Sequence, residues 1–171
     1  NYSKNDIFKE LYVVCGKGES KNPILRIIDK PTRFEFLTSI ALKQHFDGLK
    51  VKPNYHVDDE GLPTFTAAGG LADIECFDTD CNPLVEVTLM TSRTQATNEM
   101  PAITRHLQEA KEKYKGKLIF SVLVAPSIHA DTKYMAGYSK FQYKVDIITL
   151  SIGDFIKEIT AKHNIKDFIF V

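Results

Sequence analysis

The sequence of 171 residues predicts one α/β domain with a central mixed β-sheet flanked by helices. Three observations predict it. Strand-like segments separated by turn residues follow one another between Val51 and Met90. A helix with a single apolar stripe comes next. It leads into Leu118–Val124, a continuous apolar run. A strand meander, a crossover helix and then a buried strand is the order that builds a mixed sheet.

Taken in order, the first thirty residues are mixed. They hold a short apolar run at Leu11–Val14 and a Gly16-Lys17-Gly18 loop, and read as a linker or a peripheral element. From Thr32 the pattern turns helical, with Phe34, Leu37 and Ala41 at i, i+3 and i+7. Thr32-x-x-Glu35 reads as a capping box, and Asp47-Gly48 stops the helix. Val51, Tyr55 and Val57 alternate as in a strand, and Asp58-Asp59-Glu60-Gly61 is a turn. Gly70–Phe77 and Leu84–Met90 are expected to be two strands joined by the polar link Asp78–Pro83. Met100, Ile103, Leu107, Ala110 and Tyr114 then repeat at spacings of 3, 4, 3 and 4, one stripe on a helix from about Thr97 to Lys115. Leu118–Val124 is a buried strand. A helix over His129–Gly137, a strand over Val145–Leu150 and a last helix capped by Ser151-x-x-Asp154 complete the pattern.

Composition sets the bounds. A hydrophobic content of 43% and an aromatic content of 11% suffice for a core. No apolar run approaches the roughly 20 residues of a membrane span, so no membrane partner is expected. Cys15, Cys76 and Cys81 are odd in number and unpatterned, unlike a secreted disulfide scaffold or a paired zinc motif. The expected location is the cytoplasm. The chain begins at Asn1 rather than Met, and the reading is a fragment of a larger protein.

Chemistry concentrates on the middle strands. Asp73 and Glu86 are charged groups inside otherwise apolar segments. Charged residues are seldom buried unless paired or bound to metal. If the two strands form a hairpin, both carboxylates lie on one face, and a divalent cation relieves their repulsion. Oxygen ligands of this kind suit Mg²⁺, with Mn²⁺ as a substitute. A solvated face of an antiparallel sheet is the plain alternative. Glu86 and Thr88 share a face beside Asp73, which favours a site. On the following helix, Glu99 and His106 are seven residues apart, hence two turns apart on nearly one face. A half-buried structural histidine and a first-turn acid are their ordinary readings. Glu35 has its capping role.

The stretch Asp73…Glu86-Val87-Thr88…Glu99…Arg105-His106-Leu107-Gln108-Glu109 resembles the cleavage domains of AlwI-type and related nicking or type IIS restriction endonucleases, in the PD-(D/E)xK superfamily, with the FokI cleavage domain more distant. The resemblance covers about Arg33 to Val124. It implies a restriction-endonuclease-like core. It also implies an active site of Glu35, Asp73, Glu86, Glu99 and His106, with metal on Asp73, Glu86 and the backbone carbonyl of Val87. Thr88 stands where the superfamily usually has lysine, and a hydroxyl supplies no positive charge. His106 with Glu99 then becomes the expected water-positioning group or general base, since histidine ordinarily titrates near neutrality.

The implied activity is Mg²⁺-dependent hydrolysis of double-stranded DNA, leaving 5′-phosphate and 3′-hydroxyl ends. Lys plus Arg and Asp plus Glu each number 22, so the chain has no basic excess. Non-specific DNA affinity comes mostly from Lys and Arg contacts to phosphate. Sequence recognition is therefore expected from another domain or subunit, and cutting both strands from a second nuclease domain. Lys111, Lys113, Lys115 and Lys117, together with Arg93 and Arg105, are candidate basic clusters, and the lysines equally fit a solvated helix face. A repair-type nuclease, a decayed nuclease fold serving as an interaction module, and a thiol enzyme using Cys76 or Cys81 are the competing readings.

Overall fold

A computed structural model describes residues 2–171. In chain order it holds α1 (Lys4–Cys15), α2 (Pro23–Ile27), α3 (Lys30–His45), β1 (Lys50–Pro53), β2 (His56–Val57), β3 (Pro63–Phe65), β4 (Ile74–Phe77) and β5 (Leu84–Val87). There follow α4 (Thr94–Lys113), β6 (Ser121–Ala125), α5 (Ala130–Tyr143), β7 (Ile147–Ser151), α6 (Ile152–Ala161) and a 3₁₀ turn over Ile165–Phe170. The main sheet has the order β1-β4-β5-β6-β7. Its first three strands run antiparallel, and β5, β6 and β7 run parallel. The expected mixed sheet is thus present, and a small β2-β3 sheet stands apart from it.

The N-terminal thirty residues are not a linker. The Ser3 hydroxyl accepts from the Asp6 N–H, and the Asp6 carboxylate accepts from the Ser3 N–H, a capping box that starts α1. Ile7, Leu11 and Val14 recur at helical spacing and are buried in the main core with Leu25 and Ile28. Further along, the helix that was expected to start at Thr32 begins two residues earlier, after Asp29 and with Pro31 in its first turn. Proline's fixed φ and missing N–H suit that position. Thr32-x-x-Glu35 is therefore not a capping box, and Glu35 lies a turn inside α3 with its side chain buried.

Other bounds move in the same way. The expected Val51–Val57 strand breaks into β1 and β2, while Gly70–Phe77 and Leu84–Met90 shorten to the four residues each of β4 and β5. Asp73 and Thr88 accordingly sit just outside the strands, where side chains reach toward the sheet's end. The helix expected over His129–Gly137 runs on to Tyr143, and Ser151 caps α6 through the Asp154 N–H as expected.

Layering follows from alternation. Val122 and Val124 face the core shared with α1, α3 and α6, whereas Leu123 faces α4. The α4 stripe of Met100, Ile103, Leu107 and Ala110 is buried against Leu84, Leu123 and Ile147. Strand β6 is buried along its whole length, as a parallel strand between two helical layers must be. Glu86 shares the α4-facing side with Leu84, and so is held between the sheet and α4.

Candidate active site

Strand pairing brings the two acids together. In β4 and β5, Ile74 pairs with Val85 and Glu75 with Leu84. The same antiparallel register carried one residue on sets Asp73 opposite Glu86. Two backbone bonds lock this pair: the Val87 N–H donates to Asp73 Oδ2 at 2.8 Å, and the Asp73 N–H donates to Glu86 Oε2 at 3.1 Å.

From α4, His106 Nδ1 lies 2.9 Å from the other oxygen of Glu86. His106 Nε2 is buried and has no hydrogen-bond partner among the described residues. With Nδ1–H donating to the carboxylate, Nε2 is left as a bare acceptor. One and a half to two turns earlier on the same helix, Glu99 Oε1 accepts from the Thr88 hydroxyl at 2.9 Å, and that hydroxyl oxygen accepts from the Met90 N–H. Thr88 thus ties the end of β5 to α4. Glu35 comes from α3 and accepts from the Ala67 N–H at 3.1 Å, which anchors the loop after β3.

These residues line one cavity of about 440 Å³. Its walls are α3 (Phe34, Glu35), the loop from Thr66 to Leu71, the end of β5 and the α4 face from Glu99 to His106. All of the expected site residues, Glu35, Asp73, Glu86, Val87, Thr88, Glu99 and His106, are among the lining residues. The loop with its Gly69-Gly70 pair, and Arg105, were not expected there. Gly70 has φ +91°, a conformation that favours glycine, and that doublet was the available signal in the sequence.

Electrostatics set the acids apart from surface carboxylates. Burial raises Asp73 well above the ordinary aspartate range, and the charges of Glu86 and Glu35 add to the rise, against the opposing bond from the Val87 N–H. Burial likewise lifts Glu35 to about 7, despite the Ala67 bond. Glu99 is raised chiefly by burial, partly offset by the Thr88 hydroxyl. Asp73 and Glu35, the two most strongly raised, are carboxylates whose charged form a nearby cation would favour.

Among the described residues, no three His, Cys, Asp or Glu side chains are placed to hold a metal by themselves. Glu86 has both oxygens engaged, by His106 and by the Asp73 N–H. Asp73, Glu35 and Glu99 each use one oxygen in the hydrogen bonds above. The donor set nonetheless fits a hard divalent cation. Mg²⁺ keeps several waters and commonly takes only one or two protein carboxylates plus substrate phosphate. An all-oxygen cluster whose acids are pushed toward protonation is the environment such an ion relieves.

The thiol reading finds no support in the site. Burial pushes the Cys15 thiol up to about 12 and Cys81 up to about 11, and Cys76 is raised too. All three are free cysteines, and none lines the acidic cavity. Among the described residues, no helix is long and apolar enough to cross a membrane.

A five-stranded mixed sheet with paired acids at the junction of its antiparallel and parallel halves, closed by a helix bearing a histidine, defines the restriction-endonuclease class of fold. The chain belongs to the AlwI restriction endonuclease family, whose sequence model matches residues 16–158. The small subunit of the heterodimeric restriction endonuclease R.BspD6I has a similar crystal structure, at TM-score 0.75 and 26% identity, over 92% of this chain and 77% of that one. Restriction endonuclease FokI shares the fold at TM-score 0.63 and 9% identity, over 94% of this chain and 29% of FokI. FokI bound to DNA gives TM-score 0.62 and 11% identity, over 99% and 30%. No curated protein sequence matches the chain.

Proposed function

We propose that this domain is a metal-dependent endodeoxyribonuclease that hydrolyses one DNA phosphodiester bond, the cleavage module of a nicking or type IIS restriction system. The observation that carries the reading is the convergence of Glu35, Asp73, Glu86, Glu99 and His106 from α3, the β4–β5 pair and α4 on one open cavity. Membership of a restriction endonuclease family supplies the reaction class.

Asp73, Glu86 and the Val87 carbonyl are the residues that would hold Mg²⁺ or Mn²⁺. When bound, the ion would polarise the phosphate and lower the pKa of a water. The chain's own residues do the rest. Glu86 fixes the tautomer of His106, so that Nε2 presents a lone pair that can accept a proton from the attacking water. Thr88 orients Glu99 through its hydroxyl and does not replace the superfamily lysine. Glu35 carries a raised pKa beside the same cluster and serves as an outer acid that orders water, not as a helix cap. Products with 5′-phosphate and 3′-hydroxyl belong to this reading.

Recognition of a DNA sequence is assigned to another domain or subunit. The similar R.BspD6I chain is one subunit of a heterodimer, and this chain has no excess of positive charge. Cutting of both strands then requires a second nuclease domain, and the cytoplasm is the compartment in which such a system works.

The test is nicking of supercoiled plasmid at low salt with Mg²⁺ or Mn²⁺, with chelator as blank and Glu86→Ala and His106→Ala alongside. Metal-dependent nicking that disappears in both variants supports the mechanism. Nicking that survives Glu86→Ala would sink the metal site. Mn²⁺ calorimetry separates a nuclease waiting for its recognition partner, which binds metal, from a decayed scaffold, which does not.

A further inference from the structure

The cavity holds four carboxylates, yet its proposed substrate is an anion, and Thr88 supplies no charge at the position where the superfamily uses lysine. Among the described residues that line the cavity, Arg105 alone carries a permanent positive charge. It sits on α4 directly before His106 and is exposed. It stands at the rim where the acidic cavity meets a groove between α4 and α5 lined by Met100, Pro101 and Tyr138. Arg93, at the start of the same helix, is paired with Asp131 at 3.2 Å, whereas Arg105 has no acid partner among the described residues.

The other cations of this helix are poor candidates. Lys111 and Lys113 lie six and eight residues further on, about 9–12 Å along the axis. Lys111 Nζ donates to the Lys144 carbonyl, and Lys113 Nζ lies over the Tyr114 ring. Arg105 is free to turn into the cavity mouth, and its planar fork matches two phosphate oxygens at once.

Resting on the nuclease reading above, we propose that Arg105 is a substrate-contacting residue that grips a backbone phosphate of the strand entering the acidic cavity, supplying from α4 the positive charge that Thr88 cannot supply from β5. The cation is thereby moved from the strand to the helix, next to the histidine that faces the same phosphate. A guanidinium so placed offsets the repulsion between the acids and the DNA during binding. It also faces the charge that grows on the phosphate oxygens as the bond breaks.

The whole chain serves for the test, with two readouts. One is nicking of supercoiled plasmid with Mg²⁺. The other is binding of a short fluorescent duplex with Ca²⁺ in place of Mg²⁺, across a series of low salt concentrations. Arg105→Gln is compared with Arg105→Lys and with Lys157→Gln, which removes one exposed charge from α6, away from the cavity. The expected result is nicking reduced roughly a hundredfold in Arg105→Gln and a salt dependence shallower by about one unit. Arg105→Lys recovers part of both, and Lys157→Gln matches the parent. A parent that does not nick, but whose duplex binding has a shallower salt dependence only in Arg105→Gln, keeps the phosphate contact, and a parent that in addition binds no Mn²⁺ in calorimetry removes the nuclease reading. Equal salt slopes in Arg105→Gln and Lys157→Gln overturn the proposal, whatever the nicking rates. So does a parent that binds no duplex.

Discussion

Glu86 Oε1 and His106 Nδ1 stand 2.9 Å apart, and both side chains are more than nine-tenths buried. The contact crosses from the sheet to α4, so it fixes the helix's rotation as well as the ring's tautomer. Neither residue can be removed without orphaning the other, and a lost bond to a charged buried group costs about 1.5–3 kcal/mol. We expect His106→Ala to lower unfolding free energy by that amount in chemical denaturation, and to abolish nicking. A His106→Ala protein as stable as the parent would show that the pair is slack and the tautomer not enforced.

The acidic cluster makes the metal-free domain least stable where it works. Asp73 and Glu35 have folded-state pKa values above their unfolded ones, because burial and mutual repulsion disfavour the charged forms. Such groups bind more protons when folded, so the stability they contribute is present at acid pH and lost as pH rises. For Glu35 the window runs from about 4.5 to about 7. Asp73→Asn keeps the acceptor for the Val87 N–H and removes a buried charge. Melting in chelator should therefore give a higher Tm for Asp73→Asn than for the parent at pH 8, with the gap shrinking toward pH 4. Adding Mg²⁺ should raise the parent's Tm by mass action and leave Asp73→Asn nearly unmoved. The opposite order of the two proteins in chelator would contradict the raised Asp73.

Glu75, two residues after Asp73, behaves in the reverse sense. Burial alone would raise it, but bonds from Lys52 at 2.9 Å and Asn54 at 3.2 Å outweigh burial and hold its pKa below the ordinary value. A depressed acid contributes stability above its unfolded pKa and loses it as pH falls through the folded one. Glu75→Gln should therefore leave Tm at pH 3 close to the parent's and lower it modestly at pH 7. Glu75 is half-buried but its Lys52 partner is exposed, so salt should weaken the effect. Insensitivity of that difference to salt would argue against an ionic origin.

How much of this was legible depended on whether the information was local. The α4 stripe from Met100 to Ala110 is periodic and uninterrupted, and its burial followed. Pairing of Asp73 with Glu86 was also legible, because two apolar strands joined by Asp78–Pro83 leave few registers. The capping role expected of Glu35 was wrong because Thr32-x-x-Glu35 has the form of a cap, while Asp29-Lys30-Pro31 just ahead begins the helix earlier. In α1, Ser3-x-x-Asp6 with Ile7, Leu11 and Val14 carried a signal of the same kind that was passed over. The cavity's third wall lay beyond any periodic rule. It is a loop, held by one bond from Ala67 to a glutamate 32 residues away.

Gln95 had no signal in the sequence at all, yet four groups depend on it. It is fully buried, and its Nε2 donates to the carbonyls of Met90 at 2.6 Å and Ser127 at 2.9 Å. Its Oε1 accepts from the His129 N–H at 2.9 Å and the Thr132 hydroxyl at 2.7 Å. One side chain thereby joins the loop after β5, the loop after β6 and the starts of α4 and α5. The loop after β5 includes Met90, whose N–H bonds to the Thr88 hydroxyl at the cavity. Gln95→Leu is close in size but leaves four partners without a bond, and each buried unsatisfied group costs about 1–3 kcal/mol. We expect a loss of more than about 3 kcal/mol in urea unfolding, with Gln95→Glu also destabilising because a carboxylate would face the Met90 and Ser127 carbonyls. Amide exchange at Met90 and His129 should quicken in Gln95→Leu ahead of the rest of the domain. A loss below about 1 kcal/mol, or uniform exchange, would mean that the two loops are held by packing and that Gln95 only fills the space between them.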